Sequence, residues 1–136
     1  MNYRSIALLT AAIVALAGLL VLAPSLEAAK PEKEQKLLRH VVLFNFNDEA
    51  SPEDIKKIEK SFRAMPSKVD VIHDFEWGTD VSVENLADGF THCFLVTFKS
   101  EDDRAIYLPH PEHKKFIDLL GGKIEKVLVV DYWAGK

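Results

Sequence analysis

The chain has 136 residues, with 17 lysines and arginines against 21 aspartates and glutamates, so its formal net charge at pH 7 is −4. This mildly acidic balance, with no basic cluster interleaved with aromatic residues, excludes nucleic acid as an expected partner. The single cysteine, Cys93, excludes an intrachain disulfide. The stability of the fold must therefore come from an ordinary apolar core.

The first 29 residues have the pattern of an export signal. Arg4 precedes an uncharged apolar run over residues 6–23, and small residues follow at Ala28 and Ala29. We therefore expect export to the periplasm or the exterior, with cleavage near residue 29. Because the run approaches the roughly 20 residues that span a bilayer, an uncleaved N-terminal membrane anchor is the alternative. A membrane would then be reached only through residues 6–23.

A charged stretch (KPEKEQK) follows this segment and predicts a solvated linker over residues 30–37, before one domain over residues 38–136. Within the domain, apolar periodicity and capping residues predict the elements in chain order. They are a strand at 41–47, a helix at 51–65, strands at 69–79 and 90–99, a helical region from residue 100 that prolines interrupt, and a strand at 127–133.

This order predicts the α+β, ferredoxin-like βαββαβ arrangement, a four-stranded antiparallel sheet with its helices on one face. The first strand has apolar residues on both faces, and one helical layer covers only one of them. We therefore expect a second copy of the chain to cover the other face. The expected assembly is a homodimer in which two sheets close on each other as an α/β barrel, with an apolar cavity between them.

The stretch YLPHPEH, residues 107–113, is the candidate site. It places two imidazoles, a phenol and a carboxylate between Pro109 and Pro111. Pro109 is expected to end one helix and Pro111 to begin the next, because proline lacks an amide donor. A rigid bend that carries titratable groups, and that borders the space between sheet and helices, is a candidate for binding or catalysis.

Two other histidines, His40 and His92, lie on predicted strand faces among large apolar residues. They are either buried core residues or polar groups that line the cavity. Phe94 and Trp77 are expected in the core or the cavity wall. The spacing of His110 and His113 suits a metal, but no Asp or Cys cluster accompanies them, so we expect no metal and no other cofactor.

Five segments, taken together, resemble the stress-responsive A/B barrel (Dabb) domain family. The similarity runs from about residue 40 to residue 133 and implies a dimeric, ferredoxin-like α+β barrel, in agreement with the arrangement above. The segments are HVVLFNF (40–46), FEWGTDVS (75–82), GFTHCFLVTFKS (89–100), YLPHPEHKKF (107–116) and KVLVVDYW (126–133).

The resemblance also implies candidate roles. A plant polyketide cyclase of the family performs an intramolecular aldol condensation without a metal, using a histidine and a tyrosine. The matching positions here are His113 and Tyr107, and His40, His92 and His110 fall on further histidines of that pattern. This chain differs in carrying Glu112 where a small residue is usual, which would alter the charge at the site.

Three functions remain open. The preferred one is an exported homodimer whose cavity binds an unidentified small apolar molecule, with expected contacts from His40, His92, His110, Phe94 and Trp77. The first alternative is a cofactor-independent cyclase or lyase with aldol chemistry, in which His113 is the base and Tyr107 the hydrogen-bond donor. The second is a non-catalytic structural or interaction domain held at a membrane.

Overall fold

A computed structural model of the chain describes residues 36–135. The predicted signal or anchor, and most of the predicted linker, lie outside the described residues. Within residues 36–135, no helix is both long and apolar enough to cross a membrane.

The described residues form four strands and three α-helices, and the predicted ferredoxin-like arrangement is confirmed. The sheet is antiparallel with the strand order β2-β3-β1-β4. A short 3-10 helix, Met65–Ser67, follows α1. The elements are β1 (Leu38–Phe46), α1 (Pro52–Arg63), β2 (Asp74–Thr79), β3 (His92–Phe98), α2 (Glu101–Tyr107), α3 (Pro111–Leu120) and β4 (Ile124–Trp133).

Several predicted boundaries need correction, and the first strand begins at Leu38 rather than at residue 41. The first helix ends at Arg63 and gives way to the 3-10 helix, because Pro66 cannot continue the α-helical hydrogen bonds. The second strand begins at Asp74 rather than at residue 69. Val69 and Ile72 are buried, but they belong to a turn and not to a strand. The turn is closed by a hydrogen bond from the Ile72 amide to the Val69 carbonyl. The last strand begins three residues earlier than predicted, at Ile124 instead of residue 127.

Helix α1 covers one half of the sheet. It begins with a capping box, in which the Ser51 hydroxyl accepts from the Asp54 amide and the Asp54 carboxylate accepts from the Ser51 amide. Phe62, on its buried side, contacts Phe94 with ring centroids 4.4 Å apart and Phe116 at 4.5 Å. Because these rings fill the space between α1 and the strands, the core lies over β1, β2 and β3.

Strand β4 lies beyond this core. Nine of its ten residues, all but Ile124, are exposed, although most of them are apolar. Val127 and Val129 point to the helix side of the sheet, since they pair with Phe44 and Val42 of β1. Leu128, Val130 and Tyr132 point to the opposite side, which we call the outer face. They are 44%, 44% and 45% exposed, so the outer face is an open apolar surface.

Candidate functional site

A cavity of about 600 Å3 lies on the helix side of the sheet, between β1, β4 and the bend that joins α2 to α3. Its mouth follows β4, where the side chains of Val127 and Val129 remain about half exposed. Four groups, namely His40, Tyr107, His113 and Asp131, bring polar atoms to an otherwise mostly apolar wall. The apolar wall includes Val42, Phe44, Phe62, Leu108, Phe116, Ile117, Leu120, Ile124, Val127 and Val129.

This cavity is inside one chain, on the helix side of the sheet, whereas the cavity expected between the two sheets of a dimer stays a prediction. It exists because the helix layer is narrower than the sheet. Phe62 of α1 fills the β2–β3 side by packing on Phe75 and Phe94, whereas the described residues that cover β4 belong to α3 and the bend. The bend borders this cavity, as expected from the sequence.

The bend is built as its prolines predict. Helix α2 ends at Tyr107 and α3 begins at Pro111, which occupies the first helical position. His110 is the N-cap of α3, and its Nδ1 accepts a hydrogen bond from the Glu112 amide at 3.2 Å. The bend therefore holds Tyr107 and His113 on either side of a short, capped corner, with their ring centroids 4.3 Å apart.

Tyr107 carries the most informative atom of the site. Its side chain is completely buried, and its hydroxyl has no hydrogen-bond partner among residues 36–135. Burial raises the pKa of Tyr107 well above its ordinary value, so the hydroxyl stays protonated and can donate. A buried hydroxyl without a partner costs about 1–3 kcal/mol of stability. Because Tyr107 lines the cavity, its unpaired hydroxyl is a candidate hydrogen-bond donor of the site.

His113 presents a lone pair. Its Nδ1 lies 2.9 Å from the Leu108 carbonyl oxygen, which can only accept, so Nδ1 carries the hydrogen and Nε2 the lone pair. Burial lowers the pKa of His113, and this outweighs the opposing effect of the Leu108 hydrogen bond. The ring is therefore neutral at pH 7 and suited to accept a proton or a hydrogen bond.

His40 is held by two residues that sequence reasoning missed. Its Nδ1 lies 2.6 Å from Oδ1 of Asp131, its register partner across β1 and β4. The other oxygen of Asp131, Oδ2, pairs with Nη1 of Arg104 at 3.0 Å. One signal for Asp131 was present: it is the only acidic residue in the run VLVVDYW and shares a strand face with Val127 and Val129.

The other predicted ligand contacts do not line this cavity, and their role in binding stays a prediction. Phe94 is fully buried in the core, and Trp77 stacks on it under the guanidinium of Arg63. His92 is buried between Glu59 and Thr91, whose side chains bond its Nε2 and Nδ1 at 3.1 and 2.8 Å. His110 serves as the helix cap. The space over β2 and β3 is filled by Phe62 of α1, which packs on Phe75 and Phe94.

Glu112 does not bring its charge into the cavity. Its carboxylate bonds the ammonium groups of Lys115 and Lys68, and these bonds lower the pKa of Glu112 to about 2. Among residues 36–135, no group of three or more metal-ligating side chains comes together.

Comparison with known proteins gives one matching family model, described as the stress responsive A/B barrel domain, over residues 38–134. The stress-response A/B barrel domain-containing protein HS1 of Arabidopsis thaliana is 40% identical over 101 residues, which cover 74% of this chain and 93% of that protein. Olivetolic acid cyclase of Cannabis sativa is 30% identical over 95 residues, covering 70% of this chain and 94% of that enzyme.

Two solved structures add to these relatives. Hydroxynitrile lyase from Passiflora edulis superimposes with a TM-score of 0.71 at 27% identity, over 75% of this chain and 96% of that one. A protein from Bacteroides fragilis, described as dimeric and of unknown function with a ferredoxin-like fold, has a TM-score of 0.59 at 27% identity. The superposition covers 72% of this chain and 96% of the Bacteroides fragilis chain.

Proposed function

Because the chain belongs to the stress-responsive A/B barrel domain family, we propose that it is a homodimeric domain that binds a small, largely apolar molecule, with an oxygen of that molecule directed at Tyr107. The observation that carries the proposal is that Tyr107, which lines an apolar cavity, has a buried hydroxyl without a described partner. A structural relative described as dimeric supports self-association, and the outer face is proposed as the interface because it is an open apolar surface. Export by the N-terminal apolar run belongs to the proposal on sequence grounds alone.

Binding is tested with two probes that differ only in the oxygen. Benzylacetone carries a phenyl ring and a methyl ketone, and butylbenzene replaces the carbonyl by a methylene. We expect the ketone to bind roughly 2–10-fold more tightly, because a net hydrogen bond contributes about 0.5–1.5 kcal/mol. Equilibrium dialysis of wild-type protein measures both dissociation constants.

A cavity-filling variant shows where the probes bind. Val129→Phe places a ring in the cavity and is expected to weaken binding of both probes by about ten-fold or more, since packed interiors tolerate little overlap. The matched control, Ile106→Phe, changes an exposed aliphatic residue of α2 that does not line the cavity. Equal binding by wild type and Val129→Phe would contradict the proposal. A purely structural domain is indicated if neither probe binds.

A second candidate function is catalysis of proton transfer next to a carbonyl. It is favoured by the neutral His113 ring beside the Tyr107 hydroxyl, and by relatives named as a cyclase and a lyase. In this reaction, Nε2 of His113 takes the proton from the carbon adjacent to the ketone. The electron pair of the broken C–H bond forms an enolate, whose oxygen accepts a hydrogen bond from Tyr107. Return of the proton regenerates the ketone and the neutral imidazole.

Deuterium exchange into benzylacetone tests this step without knowledge of the natural substrate. In D2O, an active base replaces the hydrogens beside the ketone by deuterium, which proton NMR follows directly. We expect His113→Ala to lower the protein-dependent exchange rate by about 100-fold or more while the ketone still binds. His73→Ala, an exposed histidine outside the cavity, is the control. Exchange no faster than in buffer would contradict catalysis, and binding would then be the only proposed function.

The pH dependence of this exchange follows from the pKa of His113. Burial holds that pKa below the ordinary imidazole value of about 6.5, and only the neutral ring is a base. The exchange rate is therefore expected to be level through neutral pH and to fall only at a midpoint below about 6.5. The unfolded chain binds the proton more readily, so the free energy of unfolding also declines in that range as the pH falls. A midpoint above about 7 would contradict this assignment.

A further inference from the structure

The residues Arg104, Asp131 and His40 form a chain of polar contacts along the edge of the cavity, which we call the Arg104–Asp131–His40 chain. Arg104 comes from α2, Asp131 from β4 and His40 from β1, so the chain ties the helix layer to the sheet. Its two contacts, at 3.0 and 2.6 Å, use different oxygens of the same carboxylate. The imidazole of His40 is buried and lies edge-on to Tyr107, with ring centroids 5.9 Å apart.

The donor and acceptor roles in this chain are fixed by chemistry. A guanidinium only donates and a carboxylate only accepts, so Nδ1 of His40 must carry the hydrogen that points at Asp131. In the neutral ring, Nε2 then carries the lone pair. Nε2 of His40 has no hydrogen-bond partner among residues 36–135, and the ring lines the cavity. The arrangement is the same as at His113, where the Leu108 carbonyl fixes the ring.

We propose that Asp131 is a positioning residue that holds His40 as a second acceptor, so that the site selects apolar molecules with a hydroxyl group close to a carbonyl. The inference rests on the proposed function and names the substrate class of the same cavity. Tyr107 donates to the carbonyl oxygen, while Nε2 of His40, whose ring centroid lies 5.9 Å from that of Tyr107, accepts from the hydroxyl. Molecules with only the carbonyl leave this second acceptor unused.

Asp131→Asn is expected to reverse the donor and acceptor roles at His40 in the Arg104–Asp131–His40 chain, rather than merely to weaken its contacts. Arg104 can only donate, so the amide of the new asparagine is expected to turn its oxygen to Arg104 and its NH2 group to His40. Nδ1 must then accept, and the hydrogen of the neutral ring moves to Nε2. The second acceptor becomes a donor. The same wrong-tautomer logic is known when the aspartate of a serine protease triad is replaced by asparagine.

The double variant Arg104→Ala with Asp131→Asn separates this reversal from simple loss of charge. It lacks the carboxylate as well, but without Arg104 the amide is free to turn its oxygen back to Nδ1. We therefore expect the double variant to recover at least part of the wild-type tautomer, whereas loss of charge alone predicts no recovery.

Two measurements test the inference. The first is the pair of imidazole 15N shifts of His40 without ligand, at a pH of about 8.5 where an ordinary imidazole is neutral. The second is binding of benzylacetone and of its derivative hydroxylated on the benzylic carbon. We expect the hydroxyl to tighten binding to wild type by about five-fold, and to give no advantage or a penalty in Asp131→Asn.

The outcomes distinguish the inference from the function on which it rests. If neither ketone binds wild type, the proposed function fails, while the 15N shifts still report the tautomer. If benzylacetone binds but the hydroxyl gives no advantage, or folded Asp131→Asn keeps the wild-type shifts and preference, the inference is wrong and the proposed function stands. An inverted tautomer with a lost hydroxyl preference, both recovered in the double variant, supports it.

Discussion

Val130→Glu is expected to convert the proposed homodimer into a monomer. Val130 is 44% exposed in a single chain and lies on the outer face, next to Val41 across the β1–β4 pair and flanked by Leu128 and Tyr132. Two sheets that close on each other bury this position. A carboxylate there loses its water when the two apolar faces close, which weakens an interface by roughly 3–5 kcal/mol.

Light scattering coupled to size-exclusion chromatography measures the change in mass. The control is Ile106→Glu, which adds the same charge to an exposed isoleucine of α2, on the helix layer. We expect Ile106→Glu to remain dimeric. Val130→Glu that elutes as a dimer, with the fold intact by circular dichroism, would show that the outer face is not the interface.

Tyr107→Phe is expected to make the protein more stable and less able to bind. The variant removes a buried hydroxyl that has no described partner, so the free energy of unfolding should rise by about 1–2 kcal/mol. For a domain of this size, each kcal/mol corresponds to about 4–8 °C in Tm. The same change removes the donor to the ketone oxygen, so the roughly 2–10-fold preference for benzylacetone over butylbenzene should disappear.

Opposite signs for stability and binding set this prediction apart from ordinary core damage. Most substitutions of a fully buried residue lower stability. Tyr107→Phe would also lower stability if a buried water bonded the Tyr107 hydroxyl. The control is Tyr132→Phe, which removes a hydroxyl from the outer face and leaves the cavity unchanged. A less stable Tyr107→Phe with unaltered ketone preference would show that the hydroxyl serves the fold and not a ligand.

Much of the fold was predictable because its signals are local. The capping residue Ser51, the prolines at 109 and 111 and the two-residue alternation of β1 and β3 each act within a few residues. For the same reason the sequence located the bend and placed Tyr107 and His113 on it. Their mutual approach is a property of one capped corner and needs no long-range contact.

The remaining parts of the site depend on contacts that local patterns do not contain. His40 and His92 both alternate with apolar residues, yet only His40 reaches the cavity, because α1 covers the other half of the sheet. Phe94 and Trp77 lie over that covered half. The partnership of Asp131 with His40 depends on the β1–β4 register, and that of Asp131 with Arg104 on how α2 docks. None of these relations has a sequence signature of its own.

The most direct test of the proposed binding is the intermolecular nuclear Overhauser spectrum of the wild-type protein with benzylacetone. We expect contacts from the methyl group beside the ketone to the rings of Tyr107 and His113, and from the phenyl ring to Ile117, Val127 and Val129. Contacts to Leu43, Leu128 and Val130 instead, which place the probe on the outer face, or no contacts at saturating probe, would contradict a cavity between the sheet and the α2–α3 bend.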